Sequence, residues 1–151
     1  MRKYSCYIPV ILILMSFCSL ILFRGSLTRY ASRIMTNGME PEEKSIVENI
    51  ISEQYDYSKN TKGYECTFLE FGSVGCNSCR QMGSVMAEIK QKYSNRVKVV
   101  FINVSQKENR ELVDYFGIVT IPTQVLLNKE GKEYFRHNGY LSAEELSKYF
   151  R

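Results

Sequence analysis

Gly75-Cys76-Asn77-Ser78-Cys79-Arg80 follows an apolar run and opens an amphipathic helical pattern. Two cysteines three positions apart at the start of a helix lie about one turn from each other. Their sulfurs can bond without moving the backbone. The positive end of the helix dipole favours negative charge and so acidifies the first sulfur toward a thiolate. The same spacing is also half of a zinc site. A switchable dithiol is the first hypothesis, and the flanking sequence has to support it.

Immediately upstream, Tyr64 to Phe71 reads as a buried strand, and Phe68-Leu69-Glu70-Phe71 is apolar except for one carboxylate. A lone carboxylate in an apolar strand is costly to bury and has a raised pKa. Such a group can take the Cys79 proton, directly or through water. The alternative is a glutamate at a sheet edge pointing into solvent.

Downstream, Met82, Val85, Met86, Ile89 and Tyr93 recur at helical spacing, which predicts one buried helix face. Val97 to Val104 is a second β-branched run. Ser105 and Glu108 fit a capping box that opens a helix carrying Leu112, Val113 and Phe116, with Gly117 ending it. Thr123 to Leu127 reads as a third strand, and Lys129-Glu130-Gly131 turns it into a fourth that reaches about His137. Gly139 interrupts that strand. Ser142 and Glu145 form a second capping box ahead of a last helix with Leu146, Tyr149 and Phe150 inward. Before the first strand, Glu40-Pro41-Glu42-Glu43 starts a helix whose apolar stripe is Ile46, Val47, Ile50, Ile51 and Tyr55. The order α, β, α, β, α, β, β, α predicts an α/β fold: a mixed sheet of four to five strands with helices on both faces.

The N-terminus differs in kind. Met1 to Cys6 is short and basic, and Tyr7 to Phe23 is 17 residues without a charge. At helical rise that run spans roughly 25 Å, enough for a thin bilayer. Leu22-Phe23-Arg24 offers no small-residue cleavage site, so a retained signal anchor is preferred over a cleaved signal peptide. Residues 25–39 show little periodicity and read as a tether. The expected division is an anchor at 1–24, a linker at 25–39 and a folded domain at 40–151. Arg2 and Lys3 argue for a cytoplasmic N-terminus, although Arg24, Arg29 and Arg33 follow the segment. A single N-terminal span then puts the domain on the extracytoplasmic side, or releases it as a secreted protein if the segment is cleaved. Disulfides form there and need management.

Composition excludes some functions. The formal charge is +4, but three of the 20 basic residues (Arg2, Lys3, Arg24) flank the apolar segment, which leaves 17 against 16 acidic ones. No basic cluster suggests a nucleic-acid surface. Five cysteines is an odd number and argues against a purely structural disulfide framework. Cys66 reads as a small buried apolar residue. His137 is the one histidine and lies beyond the motifs, so no Cys–His nucleophile pair is suggested.

A buried strand running into Cys-x-x-Cys at a helix start, then strand, helix, Ile121-Pro122-Thr123, hairpin, Gly139 and helix, resembles the thioredoxin family. Tyr115-Phe116-Gly117-Ile118 leads to Ile121-Pro122-Thr123 at the family's distance, and the resemblance covers roughly residues 42 to 151. It implies that Cys76 is the attacking and Cys79 the resolving cysteine, together a redox-active disulfide. It also implies that Pro122 is a cis-proline beside the dithiol and that the Ile121 backbone pairs with substrate. Gly139 then lets the closing loop approach, and Glu70 is the buried acid, where aspartate is commoner. Gly75, Asn77 and Ser78 would complete the substrate-facing rim. Several positions depart from the pattern: Gly75 replaces a tryptophan, Asn77-Ser78 replaces Gly-Pro, Ser84 a helix-kinking proline, and Phe101 a buried lysine that would partner the acid.

The resulting expectation is a membrane-tethered, extracytoplasmic thiol–disulfide oxidoreductase, a monomer that reduces protein disulfides. It uses no metal or organic cofactor, and a membrane dithiol donor supplies its electrons. Cytochrome c maturation and disulfide repair are the settings that family analogy suggests. The rivals are a dithiol oxidase that introduces disulfides and a redox-inactive or metal-handling binding module. Two cysteines alone do not close a zinc site.

Overall fold

The computed structural model describes residues 8–59 and 63–150. The basic start and Cys6 lie outside the described residues, as does part of the loop read between Tyr57 and Gly63.

The central element is β1 (Cys66–Gly72), in which all seven residues are buried. A strand covered on both faces needs apolar side chains in both directions, which Phe68, Leu69 and Phe71 provide. Each contributes about 1.5–3 kcal/mol by leaving water. β1 pairs in parallel with β2 (Val97–Asn103) on one side and antiparallel with β3 (Thr123–Leu127) on the other. β4 (Glu133–Asn138) adds an antiparallel edge beyond β3, so the sheet order is β2-β1-β3-β4.

Helices cover both faces, as expected. On one, α3 (Asn77–Lys92) and α5 (Ala143–Ser147) press Met82, Val85, Ile89 and Leu146 onto Cys66, Phe68 and Leu126. On the other, α2 (Pro41–Tyr55) and α4 (Arg110–Tyr115) enclose Leu69, Phe71, Val125 and Leu127. The α2 stripe is narrower than the sequence suggests: Val47, Ile51 and Tyr55 are buried, while Ile46 and Ile50 are exposed. The Ser142–Glu145 capping box forms in full. The Ser105–Glu108 box does not. The Asn103 side chain takes the Ser105 N–H at 3.1 Å, and a 3-10 turn at Lys107–Asn109 precedes α4 instead. Tyr149, expected inward, is half exposed and stacks on Phe135 with ring centroids 3.8 Å apart.

Residues 25–39, expected as a tether of low periodicity, are helical up to Asn37. They continue α1 (Ile8–Asn37), which bends by 56° between Phe23 and Gly25. Tertiary contacts hold this half in place. Ser32 Oγ donates to the Gly117 carbonyl at 2.6 Å, and Thr36 Oγ1 donates to the Ser32 carbonyl at 3.0 Å, with the Tyr115 carbonyl at 3.3 Å. Gly117 sits at φ +56 directly beneath, and a Cβ there would lie 2.5 Å from the Ser32 carbonyl oxygen. Among the described residues no single helix is long and apolar enough to cross a membrane. The two halves of α1 satisfy that length and composition only together.

Candidate active site

Cys76 is the N-cap of α3, and its Sγ accepts the Cys79 backbone N–H at 3.2 Å. A cap is normally an oxygen, and sulfur is a weak acceptor when neutral. As a thiolate it receives both the N–H and the positive end of the helix dipole. Ser78 Oγ stands 3.3 Å from the same sulfur. Asn77 Oδ1 accepts from the Arg80 guanidinium, which ties the intervening dipeptide to the first turn.

The two sulfurs are joined in a disulfide with a Cα–Cα separation of 5.2 Å. They differ in access: Cys76 is half-buried and Cys79 is 5% exposed. Cys79 rests on Gly72, where an added Cβ would stand 3.4 Å from its Sγ and 3.0 Å from the Phe101 ring. Gly75 is exposed, and an added Cβ would meet nothing within 4 Å.

Glu70 is fully buried on an interior strand, which rules out the solvent-facing alternative. Side chains alternate along a strand, so Glu70, Phe68 and Gly72 share the face that α3 covers. Burial raises the Glu70 carboxyl and outweighs a lowering hydrogen bond from Gln124, leaving it at about 8. That bond runs from Gln124 Nε2 to Glu70 Oε2 at 3.0 Å.

The Ile121–Pro122 bond is cis. Phe71 pairs with Thr123 in the β1–β3 ladder, so the next step along the two strands sets Pro122 against Gly72, the seat of Cys79. The Gly139 N–H donates to the Pro122 carbonyl at 2.8 Å, and Gly139 itself is at φ +100. Ile121 and Gly139 line a cavity of about 440 Å³ whose other wall is Gly25 and Thr28 of α1. His137 borders this cavity, with Nε2 3.2 Å from the Tyr140 carbonyl oxygen.

Cys76, Cys79, Pro122 and Gly139 therefore gather at one end of the sheet, with Glu70 one strand step below. Two contributors were not visible in the sequence. Gln124 gives no local signal in a strand-like run, and its partner is 54 positions away. Gly72 carries no motif, although a small residue before a reactive dithiol is a reasonable place to look.

The comparisons agree with this geometry. The family model for a thioredoxin-like domain matches residues 51–151. Thioredoxin of Alicyclobacillus acidocaldarius subsp. acidocaldarius is 31% identical over 91 residues, which are 60% of this chain and 84% of that protein. The thioredoxin-like protein HCF164, chloroplastic, of Oryza sativa subsp. japonica is 34% identical over 67 residues, 44% of this chain. The match spans about a quarter of that relative's length (26%). Oxidised mitochondrial thioredoxin 3 of Saccharomyces cerevisiae superposes with a TM-score of 0.53 at 22% identity, covering 70% of this chain and 86% of that one. Together with a disulfide-bonded Cys76–Cys79 pair, these relatives support thiol–disulfide oxidoreductase activity. The chain belongs to the thioredoxin-like family.

Proposed function

We propose that the chain reduces protein disulfides outside the cytoplasm, held at a membrane by the first half of α1. The observation that carries this reading is the unequal access of the two bonded sulfurs, one half-buried at a helix N-cap and one buried on Gly72.

In the reduced protein, the Cys76 thiolate attacks one sulfur of a substrate disulfide. A mixed disulfide forms, and the other substrate sulfur leaves as a thiolate that takes a proton from water. Cys79 then gives its proton to Glu70 and attacks Cys76 Sγ. The Cys76–Cys79 bond forms as the second substrate sulfur departs, so two electrons have passed to the substrate. The backbone of Ile121, freed from strand pairing by Pro122, holds the substrate chain, and Gly75, Asn77, Ser78 and Gly139 form the rim. Regeneration needs two electrons from a dithiol donor. Outside the cytoplasm that role falls to a membrane protein. The exposed apolar residues of α1, from Ile8 to Phe23, support the membrane assignment.

Measuring the reduction potential tests the direction. A value near about −270 mV supports a reductant, and one near −120 mV supports the oxidase reading in its place. Cys79→Ala in cells should trap the substrate as a mixed disulfide through Cys76.

A further inference from the structure

Glu70 and Gln124 stand directly opposite each other in the β1–β3 ladder, and both are fully buried. The rest of β3 is Thr123, Val125, Leu126 and Leu127, so an apolar residue at 124 would suit this strand on packing grounds alone. A buried amide costs free energy unless its hydrogen bonds are made. Its Nε2 makes one, to Glu70 Oε2, while Gln124 Oε1 and Glu70 Oε1 have no partner among the described residues. Keeping a half-satisfied amide and a carboxyl here costs the strand free energy that an apolar residue at 124 would not.

We propose that Gln124 is a positioning residue for proton transfer: its side-chain amide fixes the Glu70 carboxyl beneath Cys79 and, being uncharged, leaves that carboxyl able to exchange a proton with it. This rests on the reading of Glu70 as the proton carrier and adds what holds and tunes it. Among the described side chains Gln124 is the one that tunes Glu70, against the larger effect of burial. β2 presents Phe101 opposite Glu70, and α3 presents Cys79 and Met82 on this face. Cys79, titratable once the disulfide is reduced, sits on this face against Gly72, two residues along β1 from Glu70. Among the described residues no charged group shifts Glu70, and the two influences on it are burial and the Gln124 bond. A cation at either flanking strand position would hold the carboxyl ionised. An amide steadies its direction without doing so. When Cys79 is the thiol, its proton passes to the Glu70 carboxylate and the Cys79 thiolate attacks Cys76. When the disulfide is opened by a donor, the protonated Glu70 returns that proton to the departing Cys79 thiolate.

The test uses the full chain in detergent micelles, with Cys76 preloaded as a mixed disulfide to a fluorescent peptide thiol. The pH dependence of peptide release reads the Cys79 step. Glu70→Gln should flatten the wild-type profile. Gln124→Met, close in volume but without the amide, should move the profile up by about one pH unit, since a lost hydrogen bond to the charged form raises an acid's pKa. Release at pH 7 then falls roughly tenfold and recovers by pH 9, a recovery that a packing defect would not give. If Glu70→Gln superposes on wild type, the Glu70 reading fails and this inference with it. If Glu70→Gln flattens the profile but Gln124→Met superposes on wild type, Gln124 alone is overturned. Should Gln124→Met not fold, the wild-type side-chain amide resonances of Gln124 decide: they must titrate with the Glu70 carboxyl carbon, and pH-independent shifts overturn the proposal.

Discussion

The Gly139 backbone N–H bonds to the Pro122 carbonyl at 2.8 Å, so the loop after β4 is fastened directly to the residue that faces the dithiol seat. Gly139 does this at φ +100, a conformation that side chains resist. Gly139→Ala should destabilise the domain by about 1–3 kcal/mol. Because the strain falls on the cavity wall, the KM for a peptide disulfide should rise more than kcat falls. Thermal melts and steady-state kinetics check both, and an unchanged KM would separate this loop from substrate binding.

The dithiol chemistry predicts an asymmetric pair of variants. Cys76→Ser should lower insulin-disulfide reduction by at least roughly 100-fold, because the accessible nucleophile is gone. Cys79→Ala should abolish turnover yet still form a mixed disulfide with substrate. Equal rates for wild type and Cys76→Ser would point to a binding role for the fold.

Glu70 also links stability to pH. Its carboxyl lies near 8 in the folded chain against an ordinary value of 4.5, so between these values the folded state holds the proton and the unfolded state does not. Its contribution is fully present below 4.5 and is lost as pH rises through about 8. The ceiling is roughly 5 kcal/mol. Urea unfolding at pH 5 and at pH 8.5 should show wild type losing stability relative to Glu70→Gln, whose amide has no proton to lose. Asp56, which hydrogen bonds from Ser58 and Lys59 hold below its ordinary range, acts at lower pH and leaves this window undisturbed.

Gly72→Ala tests the seat of the buried sulfur. The new methyl would stand 3.0 Å from the Phe101 ring and 3.4 Å from Cys79 Sγ. The ring is 40% exposed and can yield. The sulfur is enclosed, so peptide release from the mixed disulfide should slow. The double variant Gly72→Ala/Phe101→Ala should recover stability but not that rate. Recovery of both would place the conflict on the ring alone.

The sheet and the dithiol were legible because their signals are local. Apolar runs marked β1, β2 and β3, Cys76-x-x-Cys79 marked the start of α3, and Ser142 with Glu145 marked α5. The features that stayed hidden depend on residues distant in sequence or on local competition. Ser32 and Thr36 weaken an isolated helix, and their tertiary partners, the carbonyls of Gly117 and Tyr115, lie some 80 positions on. Ser105 lost its cap because Asn103, two residues before it, offered its N–H a nearer acceptor. Gln124 reads as one polar residue in a strand until the register sets it against Glu70.

The missing side chain at Gly117 reaches further than its own turn. It lets α1 settle against the domain so closely that a single methyl would collide with the Ser32 backbone. A domain on a slack lead would sweep a volume set by the lead's length. One clasped at residue 117 instead carries the second half of α1 as a fixed part of its own surface. Under the proposed tethering, the freedom left between bilayer and dithiol is then confined to the bend between Phe23 and Gly25.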